Sequence, residues 1–247
     1  PDTSLDIEER YIGGLGISKV YKMNPYLVRQ PTMNFSGAAA LPSQVDIYVD
    51  GVLTGRRNIM PGQFEIQNLN YYGGTRNVDL VIRDPFGIEQ RFQYSVYFER
   101  TLLKNQFHEY SYNIGWLREN YGMRSNEYGK PAFSAFHRYG VTDWLTIGAS
   151  GEAADDVYNG SIESTFLVPF SAGVMTMGLA GSKSQSITGW AGALSHSYQN
   201  RKFSSSTFFT KYSSDYANIA DRLSSSAVDY VASIEASFIN LYERLTM

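Results

Sequence analysis

Alternation of apolar and polar residues dominates the chain after residue 105. Tyr110, Tyr112, Ile114 and Trp116 fall on one side of a two-residue period, with Ser111, Asn113 and Gly115 on the other. Ile162, Phe166 and Val168 likewise oppose Ser161, Glu163 and Thr165. Near the end, Val228, Tyr230, Ile234 and Phe238 oppose Asp229, Ser233, Glu235 and Ser237. A period of two places such sets on opposite faces of an extended strand. The pattern predicts eight strands, over 106–118, 131–141, 144–153, 157–168, 172–182, 187–199, 202–213 and 226–238. Their lengths match the roughly 9 to 11 residues of a tilted membrane-crossing strand. Residues 214–226 are polar and Ser-rich, with Ile219 and Leu223 at helical spacing, and read as a loop with room for one helical turn.

The earlier chain has a different texture. Residues 1–31 hold one predicted strand, over 11–22, and a polar connector with Pro25 and Pro31. From 32 to 96 the strands shorten and turns become frequent. Val45-Asp46-Ile47-Tyr48-Val49 alternates and runs into Asp50-Gly51, a hairpin signal because both residues tolerate positive φ. Pro61-Gly62, Gly73-Gly74 and Asp84-Pro85-Phe86-Gly87 mark further turns. Five or six short strands in this space predict a small immunoglobulin-like sandwich. The remainder, 97–247, carries the long strands.

Composition supports a β-rich chain: 22 Gly, 19 Tyr and 14 Phe accompany only 18% charged residues. A formal charge of -3 supplies no broad basic surface, which argues against nucleic acid as a partner. The absence of cysteine removes disulfides, thiolate metal sites and a Cys nucleophile. No apolar run is long enough for a membrane-spanning helix, whereas a β-barrel hides its lipid face in the average hydropathy. Alternating strands also build soluble sandwiches and lipocalin-like barrels. Long strands, aromatic residues at strand ends and a polar opposite face together favour the membrane. About nine strands close on an interior filled by their own side chains, with no space for a 65-residue insert. An open sheet in lipid leaves unpaired edges. The chain is therefore expected to be part of a larger barrel and not to fold alone.

Candidate catalytic chemistry is sparse. His108, His137 and His196 lie in no metal-ligand spacing and read as surface or girdle positions. Asp155-Asp156 and Asn159-Gly160 read as turn residues, and Gly13-Gly14-Leu15-Gly16 lacks the setting and the Lys-Ser/Thr ending of a phosphate loop. No catalytic residue, metal or cofactor is predicted. A passive porin-like channel, or a soluble adhesin stacking sugars on Trp116, Trp144 and Trp190, remains open on these observations.

Four runs carry a family resemblance: Phe35-Ser36-Gly37-Ala38, Val45 to Gly51, Pro61-Gly62-Gln63-Phe64-Glu65-Ile66, and Val78 to Asp84 with Gly87-Ile88-Glu89-Gln90. They resemble the plug (middle) domain of fimbrial chaperone–usher outer-membrane ushers, with Gln63 where many ushers have a second proline. Tyr110 to Gly115 and Arg118 to Gly122 are similar to the strand that re-enters the usher barrel, and Leu117 to Asn126 is most similar to the archaic, spore-coat-protein-like branch. The resemblance implies an all-β fold, part of a transmembrane β-barrel with an inserted sandwich plug, in the bacterial outer membrane. It implies a non-enzymatic pore that assembles and secretes pilus subunits, with periplasmic chaperone–subunit complexes and outer-membrane lipid as partners. Lumen-facing Glu163, Asp229 and Glu235 are expected to meet Arg56, Arg57, Arg76 and Arg83 of the plug, holding it by contacts that can break.

Overall fold

The computed structural model describes residues 12–19, 28–69, 73–99, 101–118, 127–200, 202–217 and 230–238. Its first strand, β1 (Ile12–Lys19), does not pair with its neighbours in sequence. It pairs instead with β8 (His108–Arg118), and the six strands between them form a separate body. These are β2 (Met33–Ala39), β3 (Ser43–Val49), β4 (Val52–Ile59), β5 (Gly62–Leu69), β6 (Gly74–Arg83) and β7 (Glu89–Phe98). After β8 the chain runs as a meander through β9 (Tyr128–Thr142), β10 (Leu145–Ala154), β11 (Val157–Leu167), β12 (Val174–Ser184), β13 (Ile187–Gln199), β14 (Phe203–Tyr212) and β15 (Tyr230–Phe238). Together with β1 these make one nine-stranded antiparallel sheet, ordered β1-β8-β9-β10-β11-β12-β13-β14-β15.

The observed strands follow the two-residue period closely. β15 begins at Tyr230; the expected start of that strand at 226, and most of the Ser-rich segment before it, lie outside the described residues. The inserted body extends to Phe98 rather than ending at 96, because β7 stays paired with β6 down to Gly74↔Phe98. Residues 99 and 101–107, expected to open the long-strand section, lie outside any strand and belong to a linker.

The inserted body is a two-layer sandwich, with β2-β5 on one side and β4-β3-β6-β7 on the other. Val45, Ile47 and Val49 of β3 and Val78, Leu80 and Ile82 of β6 share one face by alternation, and they pack with Phe35 of β2 and Ile66 of β5. The β3–β4 hairpin turns on Asp50 (φ 50°) and Gly51 (φ 82°), the positive-φ pair that the Asp-Gly dipeptide favours.

On the outer face of the four-stranded layer Asp46 is buried, and its carboxylate accepts from Arg56 Nε at 2.7 Å and Gln44 Nε2 at 2.9 Å. The hydrogen bond from Arg56 holds the Asp46 carboxyl below its ordinary range against the opposing effect of burial; the charge of Arg83 adds to it. A depressed pKa stabilises the fold above the unfolded-state value of about 3.9, and that stability is lost as pH falls through the folded value. The stability difference between wild type and D46N is expected to be largest at neutral pH and to shrink below about pH 4. Hydrogen exchange of the sandwich amides as a function of urea and pH measures it.

Candidate functional site

Two faces distinguish the nine-stranded sheet. On one, hydroxyl pairs meet across strands: Ser150 with Ser161 at 2.6 Å, Thr165 with Thr176 at 3.1 Å, and Ser204 with Ser237 at 2.6 Å. The other presents Ile114, Trp116, Phe133, Ile147, Ile162, Leu179, Trp190, Leu194, Phe209 and Ile234, all exposed. Ile162 and Leu179 are 62% and 61% exposed in mid-strand, a contiguous apolar surface of the kind that faces lipid.

The charges on this face fit a tilted sheet. Lys19, Tyr110, His137, Ala149, Ile162, Leu179, Gly192 and Lys211 form one continuous row of cross-strand partners. The two lysines stand seven strands apart, about 34 Å at roughly 4.8 Å per strand. A tilt of roughly 40° turns this into about 22 Å along the membrane normal, close to the roughly 25 Å apolar band of such barrels. The lysines thus fall at opposite edges of the band, with Ile162 between them. I162R is expected to cost about 2–4 kcal/mol of folding stability in vesicles, and S161R on the opposite face much less. Urea titration of the intact protein measures both.

The polar face holds the two linkers of the sandwich. Lys104 N donates to Arg29 O at 2.8 Å, joining the outgoing linker to the incoming one. Leu103 N donates to Thr146 Oγ1 at 2.8 Å and Asn105 N to Asp143 Oδ1 at 2.9 Å, while Leu102 and Leu103 are fully buried. Gly140 accommodates the linker backbone closely, since a Cβ there would lie 2.2 Å from Lys104 O.

Arg138 is the charged centre of this clamp. Its Nη2 donates to Thr101 O at 2.6 Å, and its Nη1 lies 3.4 Å from Glu109 Oε2. Its Nε lies 3.1 Å from Glu163 Oε1 but is not aligned for a hydrogen bond, so that contact is electrostatic. Arg29 meets the other oxygen of Glu109 at 3.1 Å. In register, Gly148 stands between Arg138 of β9 and Glu163 of β11. A Cβ at Gly148 would lie 2.7 Å from Glu163 Cγ, so the missing side chain lets arginine and glutamate meet across β10. The backbone alternation identified Glu163 as facing this side, but nothing local in the sequence marked Arg138, Glu109, Thr146 or Arg29 as its companions. The even-numbered side of β9, with Lys130, Ala132, Ser134, Phe136 and Gly140 beside Arg138, carried no signal that singled the arginine out.

A second contact zone lies at the sheet end that bears the linkers. Tyr97 OH donates to Ser197 O at 3.3 Å and its ring stacks on Tyr198, with centroids 6.3 Å apart. Burial pushes the Tyr97 phenol above its ordinary pKa, with the charge of Glu99 adding, so it stays a neutral donor. Tyr97, Leu102 and Val174 form a small apolar cluster bordered by Leu167 and Tyr198. Beside it a cleft of about 650 Å³ separates Gly74, Arg76 and Glu99 from Ser204, Ser206, Glu235 and Ser237.

The expected cross-interface charges are arranged differently. Arg56 pairs with Asp46, Arg76 with Asp50 at 3.0 Å, and Arg83 with Glu89 at 2.9 Å, all within the sandwich. Hairpin register brings Arg83 and Glu89 face to face, so the nearest opposite charge is local. Glu163 is held by Arg138 within the sheet. Arg57 is exposed on the edge strand β4. Glu235 and Arg76 border the same cleft, whereas Asp229 lies outside the described residues. His108 Nδ1 and His137 Nε2 lie 2.9 Å apart, and Tyr112 OH is 2.6 Å from His137 Nδ1, on the apolar face among aromatic rings. Among the described residues no group of three or more His, Asp or Glu gathers in a metal-binding arrangement, and no helix is long and apolar enough to cross a membrane.

A sheet with one lipid-type face, one hydroxyl-lined face and a sandwich tethered to the latter defines a wall segment of an outer-membrane-type β-barrel. The family described as outer membrane usher protein matches residues 7–241, and the chain belongs to that family. Among solved structures, the chain is similar to the E. coli P pilus tip assembly intermediate PapC-PapD-PapK-PapG in its second conformation. That similarity has 16% identity and a TM-score of 0.58, covering 89% of this chain and 28% of that one. The P pilus usher (PapC) translocation pore matches at 14% identity and a TM-score of 0.48, covering 89% of this chain and 46% of that one. A crystal structure of the Usher PapC translocation pore matches at 14% identity and a TM-score of 0.43, covering 85% and 43%. The chain thus spans less than half the length of these structures. No curated protein matches it.

Proposed function

We propose that this chain supplies part of the wall, and the plug, of an outer-membrane pore that assembles pilus subunits and secretes them. The observation that carries the proposal is the tethering of a complete sandwich, by both of its linkers, to the polar face of a barrel wall. A general channel has no use for such an insert, and a soluble sugar-binding protein has no use for the apolar face. The linker end of the sheet carries the β9–β10, β11–β12 and β13–β14 connections; the opposite end carries the short turns 155–156 and 185–186 and the two connections, β8–β9 and β14–β15, that span the most residues in sequence. Longer loops face the outside in such barrels, and the two longest connections are at the end away from the linkers, so the plug approaches the lumen from the periplasmic side.

The solved assembly intermediate contains PapC with PapD, PapK and PapG. By family membership we assign to this protein the corresponding class of partner, a periplasmic chaperone–subunit complex, with lipid around the apolar face. Subunit joining by strand addition draws its affinity from main-chain hydrogen bonds, and the protein needs no catalytic group or cofactor for it. The run from Leu117 to Asn126 supports a position for the chain on the archaic branch of the family.

Replacing residues 32–98 with a short Gly-Ser linker in the intact protein is expected to convert a mostly closed pore into a sustained open one in planar bilayers. Unchanged resting conductance of a correctly inserted deletion variant would remove the gating role.

A further inference from the structure

The connection between β11 and β12 is strained in an unusual way. Phe170 (φ 61°) and Ser171 (φ 55°) are consecutive non-glycine residues in the left-handed region, followed by Gly173 at φ 108°. Side chains disfavour that region, and such conformations persist where surrounding contacts over-determine them. Here the contacts are visible. Val168 N donates to Gly173 O at 2.9 Å, and Ala172 N donates to Pro169 O at 3.3 Å. His196 Nε2 lies 2.9 Å from Ala172 O; since a carbonyl only accepts, this nitrogen carries the proton. Gly173 lies against β13 so closely that a Cβ would be 2.2 Å from Ser197 O.

The strained pair is not spent on its own packing, because the Phe170 side chain is fully exposed. What the conformation achieves is the placement of Ser171. Its hydroxyl donates to Ser95 O on β7 at 3.2 Å, and its carbonyl accepts from Thr75 Oγ1 on β6 at 3.3 Å. Both ends of one residue thus engage adjacent sandwich strands, next to the Tyr97–Tyr198 stack. Gly74 closes the seat from the sandwich side, where a Cβ would lie 2.6 Å from Gln199 O.

We propose that the rim loop Pro169–Gly173 is a plug latch, in which the left-handed turn at Phe170 and Ser171 presents Ser171 as a double hydrogen-bonding catch for β6 and β7. The proposal rests on the plug reading above and adds the residues that position the plug at rest. Neutral hydrogen bonds suit a latch that must release, because each holds the plug modestly and water replaces it without leaving a buried charge. When the plug departs, only the two hydrogen bonds of Ser171 are lost, while the contacts of Val168, Ala172 and Gly173 with the loop and β13 keep the turn formed and ready to receive the plug again.

Phe170 permits a clean test because its side chain touches nothing that a substitution would lose. F170G retains access to φ 61°, whereas F170P fixes φ near −65° and turns Ser171 away from the plug. The intact protein and its variants are reconstituted in planar bilayers, with heat-modifiable gel migration reporting barrel integrity and the plug deletion serving as reference. S171A and T75A are each expected to raise the open-to-closed ratio about fivefold, the factor for one hydrogen bond of about 1 kcal/mol. F170P is expected to match or exceed the S171A/T75A double variant, and F170G to gate no more often than wild type. If the plug deletion opens the pore while S171A, T75A and F170P stay as closed as wild type, the latch is wrong and the plug reading survives. If the deletion itself leaves the pore closed, the plug reading fails first. Should F170P not insert, S171A and T75A decide the matter alone.

Discussion

Replacing Arg138 with alanine is expected to destabilise the protein by about 3–5 kcal/mol, the range for leaving a buried partner charge uncompensated. The side chains of Arg138, Glu109 and Glu163 are only 12%, 6% and 14% exposed, so water cannot take over the role of the guanidinium. Glu109 would keep only Arg29, and Glu163 would lose its ion pair with the β9 strand. Thr101 O would also lose a donor, loosening the outgoing linker where it leaves the sandwich. Urea unfolding of the intact protein in detergent measures the loss. Adding E109Q and E163Q to R138A should recover much of it, since the cost comes from unpaired charge rather than from the missing arginine stem. A change below about 1 kcal/mol for R138A alone would show the site to be well hydrated.

The second large effect is expected in the sandwich core. Ile47 is 2% exposed and packs between the two layers with Phe35, Ile66 and Leu80. I47A removes buried methyl groups and leaves a cavity, a change that costs about 2–5 kcal/mol. A sandwich this small has a total stability of only about 5 kcal/mol or slightly more, so the substitution consumes most of it. Limited trypsin digestion of the intact protein should then cut between β2 and β7 while the barrel strands stay resistant. V52A, at a site 64% exposed, should change little, within about 0.5 kcal/mol. Equal resistance of I47A and wild type would mean that the barrel wall, rather than the sandwich core, holds this body folded.

The strands and hairpins were legible because their signals are local. Alternation with a period of two is a property of the backbone itself, and Asp50-Gly51 specifies its turn through the φ values that the two residues tolerate. The polar side of β11, with Glu163 on it, followed from the same period. Register was not legible. It brings Arg29, Glu109, Arg138 and Glu163 together from four separate parts of the chain, with Gly148 as the gap between two of them. Arg83 and Glu89 became partners because the intervening turn sets them opposite each other, although charge sign alone fitted Arg83 to the barrel wall equally well.

By itself, then, the sequence determined an all-β chain with long two-faced strands, a small sandwich inserted between the first and the rest, and which residues share a face. Tertiary structure alone decided which charges neutralise each other, where the linkers are clamped, and that Phe170 and Ser171 adopt a left-handed turn with no glycine at either position. The reason is physical: periodicity and turn propensity act over a few residues. Ion pairing and strain depend on which strands lie side by side, and that is settled only when the whole sheet has assembled.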